Sequence, residues 1–86
     1  MAIAKAQGKF VETEIDDEVV LMDLESGNFF SLAGTSLAVW QAIDGERSAN
    51  EIAALLAEEY DQPLDLVLSD VTDFLGELRD AGLVDG

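Results

Sequence analysis

Side chains able to take part in chemistry are almost all carboxylates: 19 Asp and Glu against 4 Lys and Arg in 86 residues, a formal net charge of −15. The chain has no His and no Cys. Ser-His-Asp and Cys-His catalysis, thiolate redox chemistry and zinc sites built on those ligands are therefore excluded. Carboxylates can hold hard cations, but Asp16-Asp17-Glu18 and Glu58-Glu59 lack the alternating ligand spacing and central Gly of a calcium loop. They read as solvated turn and helix residues. No residue is assigned to catalysis, to a metal or to a cofactor. The cations are Lys5, Lys9, Arg47 and Arg79, too few to neutralise the phosphates from which nucleic-acid binders draw their affinity. A polyanion or an anionic membrane is repelled, and basic or neutral partners are favoured. What remains is recognition by hydrogen bonds and apolar contact.

The elements that position such a surface follow from periodicity. Apolar residues make up 49% of the chain, enough for one core in one domain. No apolar run approaches the roughly 20 residues that span a bilayer, and residues 1–8 lack the apolar stretch of a signal peptide. A cytoplasmic protein is expected, with residues 1–8 as a flexible arm and 9–86 as the domain. Lys9 to Ile15 alternates, with Phe10, Glu12 and Glu14 on one face and Val11, Thr13 and Ile15 on the other. After an Asp16-Asp17 turn, Glu18 to Leu24 reads as a central strand with apolar residues on both faces. Glu25-Ser26-Gly27 reads as a hairpin turn and Asn28 to Leu32 as a third strand. Three helices follow. Gly34-Thr35-Ser36 offers caps to the first, which holds Leu37, Trp40 and Ile43; Ser48 and Glu51 form a capping box for the second. Pro63 is placed in the first turn of the third, with Gly82 after its end. The expected fold is α+β: a three-stranded antiparallel β-meander followed by three α-helices.

Two features point to a groove. The third helix carries a wide stripe, Leu64, Val67, Leu68, Val71, Phe74, Leu75 and Leu78, most of which a small core absorbs. Its margin, around Phe74 and Leu78, is left to form a wall. The third strand has adjacent aromatics, Phe29 and Phe30, which must point to opposite faces. It is also a sheet edge with neither Lys nor Pro to protect it, so it can accept another strand.

The run Val19-Val20-Leu21-Met22-Asp23-Leu24-Glu25-Ser26-Gly27-Asn28-Phe29-Phe30-Ser31-Leu32 resembles the strand-turn-strand core of the PqqD-like family. Trp40, Ile43-Asp44-Gly45, Ile52, Leu56, Tyr60, Asp70-Val71, Phe74-Leu75, Leu78 and Gly82-Leu83 continue the likeness over almost the whole chain. These are structural positions, specific by order and spacing and not by a catalytic signature. The resemblance implies a winged-helix-like recognition element for ribosomally synthesised, post-translationally modified peptides. Such elements bind the leader of a precursor peptide as an added strand in the cleft against the third helix, and present it to a modifying enzyme. Carried over by position, the peptide-binding residues are Asn28, Phe29, Phe30, Ser31 and Leu32 on the strand. On the helix they are Val67, Asp70, Val71, Phe74 and Leu78. The resemblance implies no enzymatic activity and no cofactor. Met22-Asp23 with Glu25 to Phe30 look more like the lasso-peptide members, whose partners are a leader protease and a cyclase. The quinone-cofactor branch, PqqD-type chaperones serving a radical SAM enzyme in PQQ biosynthesis, stays as the alternative.

Two rivals of other classes are weighed beside it. Gly34-Thr35-Ser36-Leu37 is similar to the attachment site of an acyl carrier protein, but Thr35 replaces its Asp, and strands precede it where a carrier has a helix. Ser36 is better read as a helix cap. A DNA-binding winged helix shares the expected fold, yet Arg47 and Arg79 are the only cations of the helical half. A homodimer through the open edge stays open.

Overall fold

A computed structural model of the chain describes residues 2–85. Met1 and Gly86, the outer ends of the expected arm and domain, lie outside the described residues. Strands β1 (Ala4–Lys5), β2 (Phe10–Ile15), β3 (Glu18–Asp23) and β4 (Phe29–Leu32) precede helices α1 (Gly34–Ala42), α2 (Ala49–Tyr60) and α3 (Leu64–Asp80); β5 (Val84–Asp85) ends the order. β2, β3 and β4 form the antiparallel meander, in that spatial order. The α+β architecture expected from the sequence is the one observed.

Local chemistry sets each boundary. At the β3–β4 hairpin the Asp23 carboxylate accepts from the N–H of Glu25 at 2.9 Å and of Ser26 at 3.4 Å. Gly27, at φ 78°, then supplies the left-handed residue. The capping box closes α2 as expected: the Ser48 hydroxyl accepts from Glu51 N–H and the Glu51 carboxylate accepts from Ser48 N–H. In α1 the cap residue is Ala33, and the Ser36 hydroxyl bonds back to it, accepting from its N–H at 3.2 Å and donating to its carbonyl at 2.9 Å. Pro63 stands one residue before α3, in extended conformation, and not in its first turn. The helix ends in a Schellman motif: Leu83 N–H donates to Leu78 C=O and Gly82 N–H to Arg79 C=O, while Leu83 folds into the core.

The three helices pack on one face of the sheet around Trp40, Leu21, Ile52, Leu56, Leu75 and Leu78, all fully buried. Trp40 is pinned from three sides. Its indole N–H donates to Glu12 at 2.9 Å, Phe10 meets it edge-on at 5.2 Å, and the Lys5 ammonium lies 4.6 Å over the ring. The expected flexible arm is corrected here. Ile3 and Ala6 are buried, β1 pairs with β5, and Ile3 exchanges backbone bonds with Arg47 and Gly45 of the α1–α2 loop. The cause is chemical: Ile3 supplies an apolar side chain and Lys5 a cation to a core edge that would otherwise leave Trp40 open. No helix among the described residues is long and apolar enough to cross a membrane.

Candidate functional site

The open edge is read from the hydrogen-bond phase. Asp23 N–H donates to Asn28 C=O, and Leu24 N–H donates to Lys9 C=O. In an antiparallel sheet bonded and non-bonded pairs alternate, so β3 bonds to β4 through Val19, Leu21 and Asp23, and to β2 through the residues between. In the register Val19↔Leu32, Val20↔Ser31, Leu21↔Phe30 and Met22↔Phe29, Phe30 and Leu32 therefore bond inward. Phe29 and Ser31 turn their N–H and C=O groups out to the open edge. Together these are two donors and two acceptors at the spacing an added strand requires.

A furrow broken into separate hollows lies along α3, and one of them reaches β4. At one end a concavity of about 560 Å³ is bounded by Asn28 and Phe30 on the strand side and by Arg79, Asp80, Ala81 and Gly82 on the helix side. Farther along α3, Asp70, Val71 and half-buried Phe74 oppose Thr35, Ser36 and Val39 of α1 across about 250 Å³. A third hollow of about 210 Å³ shares Thr35 and Asp70 and adds Leu56, Tyr60, Gln62, Leu66 and Val67. The hollow at β4 is lined mainly by polar and charged residues, Asp23, Glu25, Asp80 and Arg79 among them, whereas the two beside α1 mix apolar side chains with Thr35, Ser36, Gln62 and Asp70. Arg79 is exposed and makes no ion pair among the described residues, whereas Arg47 is held by Asp44 at 3.2 Å.

The residues expected at the site separate into three groups. Asn28 and Phe30 line the hollow at β4, while Val67, Asp70, Val71 and Phe74 line the two hollows beside α1. Phe29 and Ser31 contribute the open backbone, but their side chains lie on the sheet face away from the helices, where Phe29 is 68% exposed. Leu32 and Leu78 are buried in the core and support the walls from behind. Sequence reasoning missed Thr35, Tyr60, Leu66 and Arg79. Leu66 had a signal, since it is an apolar residue off the stripe of an otherwise acidic helix face, and it is 60% exposed.

Asp23, at the hairpin end of the furrow, has its carboxyl held below the ordinary value. The N–H of Glu25 is the main cause; partial burial opposes it, and Ser26 and the Lys9 charge assist. No group of three or more potential metal-ligating side chains occurs among the described residues. The arrangement offers hydrogen-bonding backbone, apolar hollows and fixed charge, which is the equipment for holding an extended chain.

Over its full length the chain is similar to the solved structure of TbiB1 in complex with the TbiA(beta) leader peptide, at 31% identity and a TM-score of 0.82, covering 96% of that chain. The lasso peptide synthetase B1 complexed with the leader peptide shares the fold at a TM-score of 0.84 and 20% identity, with both chains fully covered. A PqqA binding protein of Rhizobium meliloti (strain 1021) is 44% identical over 43 residues, which are 50% of this chain and 44% of that protein. The family model described as coenzyme PQQ synthesis protein D (PqqD) matches residues 18–84. The chain belongs to the PqqD family.

Proposed function

We propose that this chain is a non-catalytic recognition element that captures the leader of a ribosomally made precursor peptide as a fourth strand on β4 and delivers it to modifying enzymes of lasso peptide biosynthesis. One observation carries the reading: the N–H and C=O groups of Phe29 and Ser31 point out from an open strand edge, and a hollow bounded by Asn28, Phe30 and the C-terminal end of α3 lies beside that edge. Ordering four leader residues costs about 4–8 kcal/mol of backbone entropy. Four backbone hydrogen bonds return about 2–6 kcal/mol net, so the ladder alone does not hold the peptide. Burying one aromatic or large aliphatic leader side chain in a hollow beside the edge adds about 1.5–3 kcal/mol. The ladder sets direction and register; the furrow supplies affinity and selects the side chain. Asp70 and Asp73, both exposed on α3, favour a leader carrying Lys or Arg. Because the ligand is a ribosomal product, capture belongs to the cytoplasm.

Likeness over the whole chain to a leader-bound TbiB1 favours the lasso branch. The PqqA binding protein match, confined to half the chain, favours a quinone-cofactor system served by a radical SAM enzyme. The genes beside this one separate the two: a short precursor with a protease and cyclase, or one with a radical SAM enzyme. At the bench, the leader of that precursor titrated into ¹⁵N-labelled protein should shift the amides of Asn28–Leu32 and of the α3 furrow. Shifts confined elsewhere refute the site.

A further inference from the structure

Only four cations stand in a chain with a net charge of −15, and they are not equally occupied. Lys5 lies over the Trp40 ring, Arg47 is paired with Asp44, and the Lys9 charge falls on Asp23. Arg79 sits in the last turn of α3, exposed and without an ion pair among the described residues. A cation there complements the helix dipole, but that effect needs only a positive charge near the helix end. Its place adds more. Arg79 borders the hollow that reaches β4 at Asn28 and Phe30, and it is the only cation in the walls of the three hollows along α3. Carboxylates share that hollow: Asp80 next to it in sequence, and Asp23 and Glu25 of the hairpin. Asp23 is committed to its own turn, accepting from the N–H groups of Glu25 and Ser26, and none of the three pairs with Arg79.

We infer that Arg79 receives the carboxylate of an Asp or Glu in the leader and so fixes the leader's register and direction on β4. The inference rests on the leader-capture reading above. A guanidinium presents a fork of donors that matches a carboxylate, and no acid of the same chain holds this one. The negative surroundings sharpen the choice. A leader carboxylate out of register meets Asp80 or Glu25 in place of Arg79, and like-charge repulsion rejects it. Direction follows from a second charged position. Asp70 borders the hollows beside α1 together with Thr35, beyond the Leu32 end of β4, whereas Arg79 lies at the Asn28 end. Antiparallel pairing is the more stable kind and the one used throughout this sheet. A strand added to β4 in that sense runs from the Leu32 end to the Asn28 end. Its Lys or Arg therefore precedes its Asp or Glu, and a leader laid down in the opposite direction sets each charge against its like.

The test uses the full chain and the leader peptide of the precursor encoded beside it, with affinities from titration calorimetry and folding checked by thermal melts. Arg79→Glu should weaken the leader about tenfold at low salt, with the loss shrinking at high salt. Arg79→Gln, which removes the charge without reversing it, should lose about threefold. Replacing one leader Asp or Glu by Lys should restore binding to Arg79→Glu and weaken binding to wild type, whereas the same change at the other acidic positions should restore nothing. Restoration from the peptide side separates direct pairing from a helix-dipole effect, which no change in the leader can repair. Exchanging that acid with the leader's basic residue should weaken wild type. Unchanged affinity in both Arg79 variants overturns the inference, as does a loss that no charge reversal in the leader repairs, or a leader without any acidic residue. An exchanged leader bound as tightly as the native one overturns the direction. Failure of wild type to bind leader at all removes the underlying reading and this inference with it; tight wild-type binding indifferent to Arg79 removes this inference alone.

Discussion

Replacing Ser31 by proline interrogates the strand edge with a single atom. By the hydrogen-bond phase, the Ser31 N–H points away from β3, so proline removes no bond of the existing ladder. An outward-facing N–H on an edge strand is a place where proline is tolerated, and the residue before it, Phe30, is already extended as proline demands. The Ser31 side chain makes only a marginal 3.5 Å contact with Glu18. The folded protein should persist. The added leader, however, loses one donor, worth about 1 kcal/mol net. Its facing carbonyl is also left dry, at a further 1–2 kcal/mol or so. Together these give about 2–3 kcal/mol, or about 30- to 150-fold in Kd. Isothermal titration with the leader measures it, a thermal melt confirms folding, and Ser31→Ala, which keeps the N–H, should stay within about threefold of wild type. Phe30→Pro sets the contrast: its N–H bonds inward, so that variant should lose the sheet itself. A folded Ser31→Pro protein with wild-type affinity would falsify strand addition at this edge.

The furrow makes its own demands. Phe74→Ala should weaken the leader by about 2 kcal/mol on the hot-spot scale, and an unchanged titration would move the anchor elsewhere. Reversing Asp70 and Asp73 to Lys should weaken a basic leader at low salt and matter less at high salt; identical curves at both salt concentrations would dismiss those carboxylates. Trp40→Ala, which empties the most constrained position in the core, should cost about 3–5 kcal/mol and lower Tm by well over 10 °C in a domain of this size. Acid should act through Asp23, whose carboxyl ionises below 3.8 in the folded chain. A carboxyl so depressed stabilises the fold fully above the unfolded value, and that contribution is lost as pH falls through the folded value. Wild type should therefore exceed Asp23→Asn in denaturant stability near pH 7, with the gap closing below pH 3.8. A gap that stays constant with pH would mean that the turn does not depend on the charge.

Much of the fold was legible because local chemistry and tertiary packing agree. Ser48 and Glu51 cap as their spacing demands, Gly82 and Leu83 close α3, and Asp23 with Gly27 turns the hairpin. Each of these signals acts over a few residues. The docking of residues 2–6 was not legible, because its partners lie at the far end of the chain and in the α1–α2 loop, and nothing in Ala-Ile-Ala-Lys-Ala announces them. Alternation along β2 revealed two faces but not which one is covered. Glu12 goes inward because Trp40 requires an acceptor there, and that requirement is invisible until α1 is placed. Pattern and edge logic marked Phe30 and Phe74, and each lines a hollow beside α3. Leu32 and Leu78 were expected in the groove because strand and stripe membership cannot separate a wall from its backing.

The pairing of Ala4 with Asp85 and of Lys5 with Val84 ties together segments separated by nearly the entire chain. Closing so long a loop is rewarded only after the intervening elements have packed, so this pairing should form late in folding and open early in native-state fluctuations. Lys5 moves with it, and Lys5 lies over the only tryptophan of the protein. The emission of Trp40 thus becomes a built-in optical gauge of the latch, sensitive to partial opening that circular dichroism would pass over.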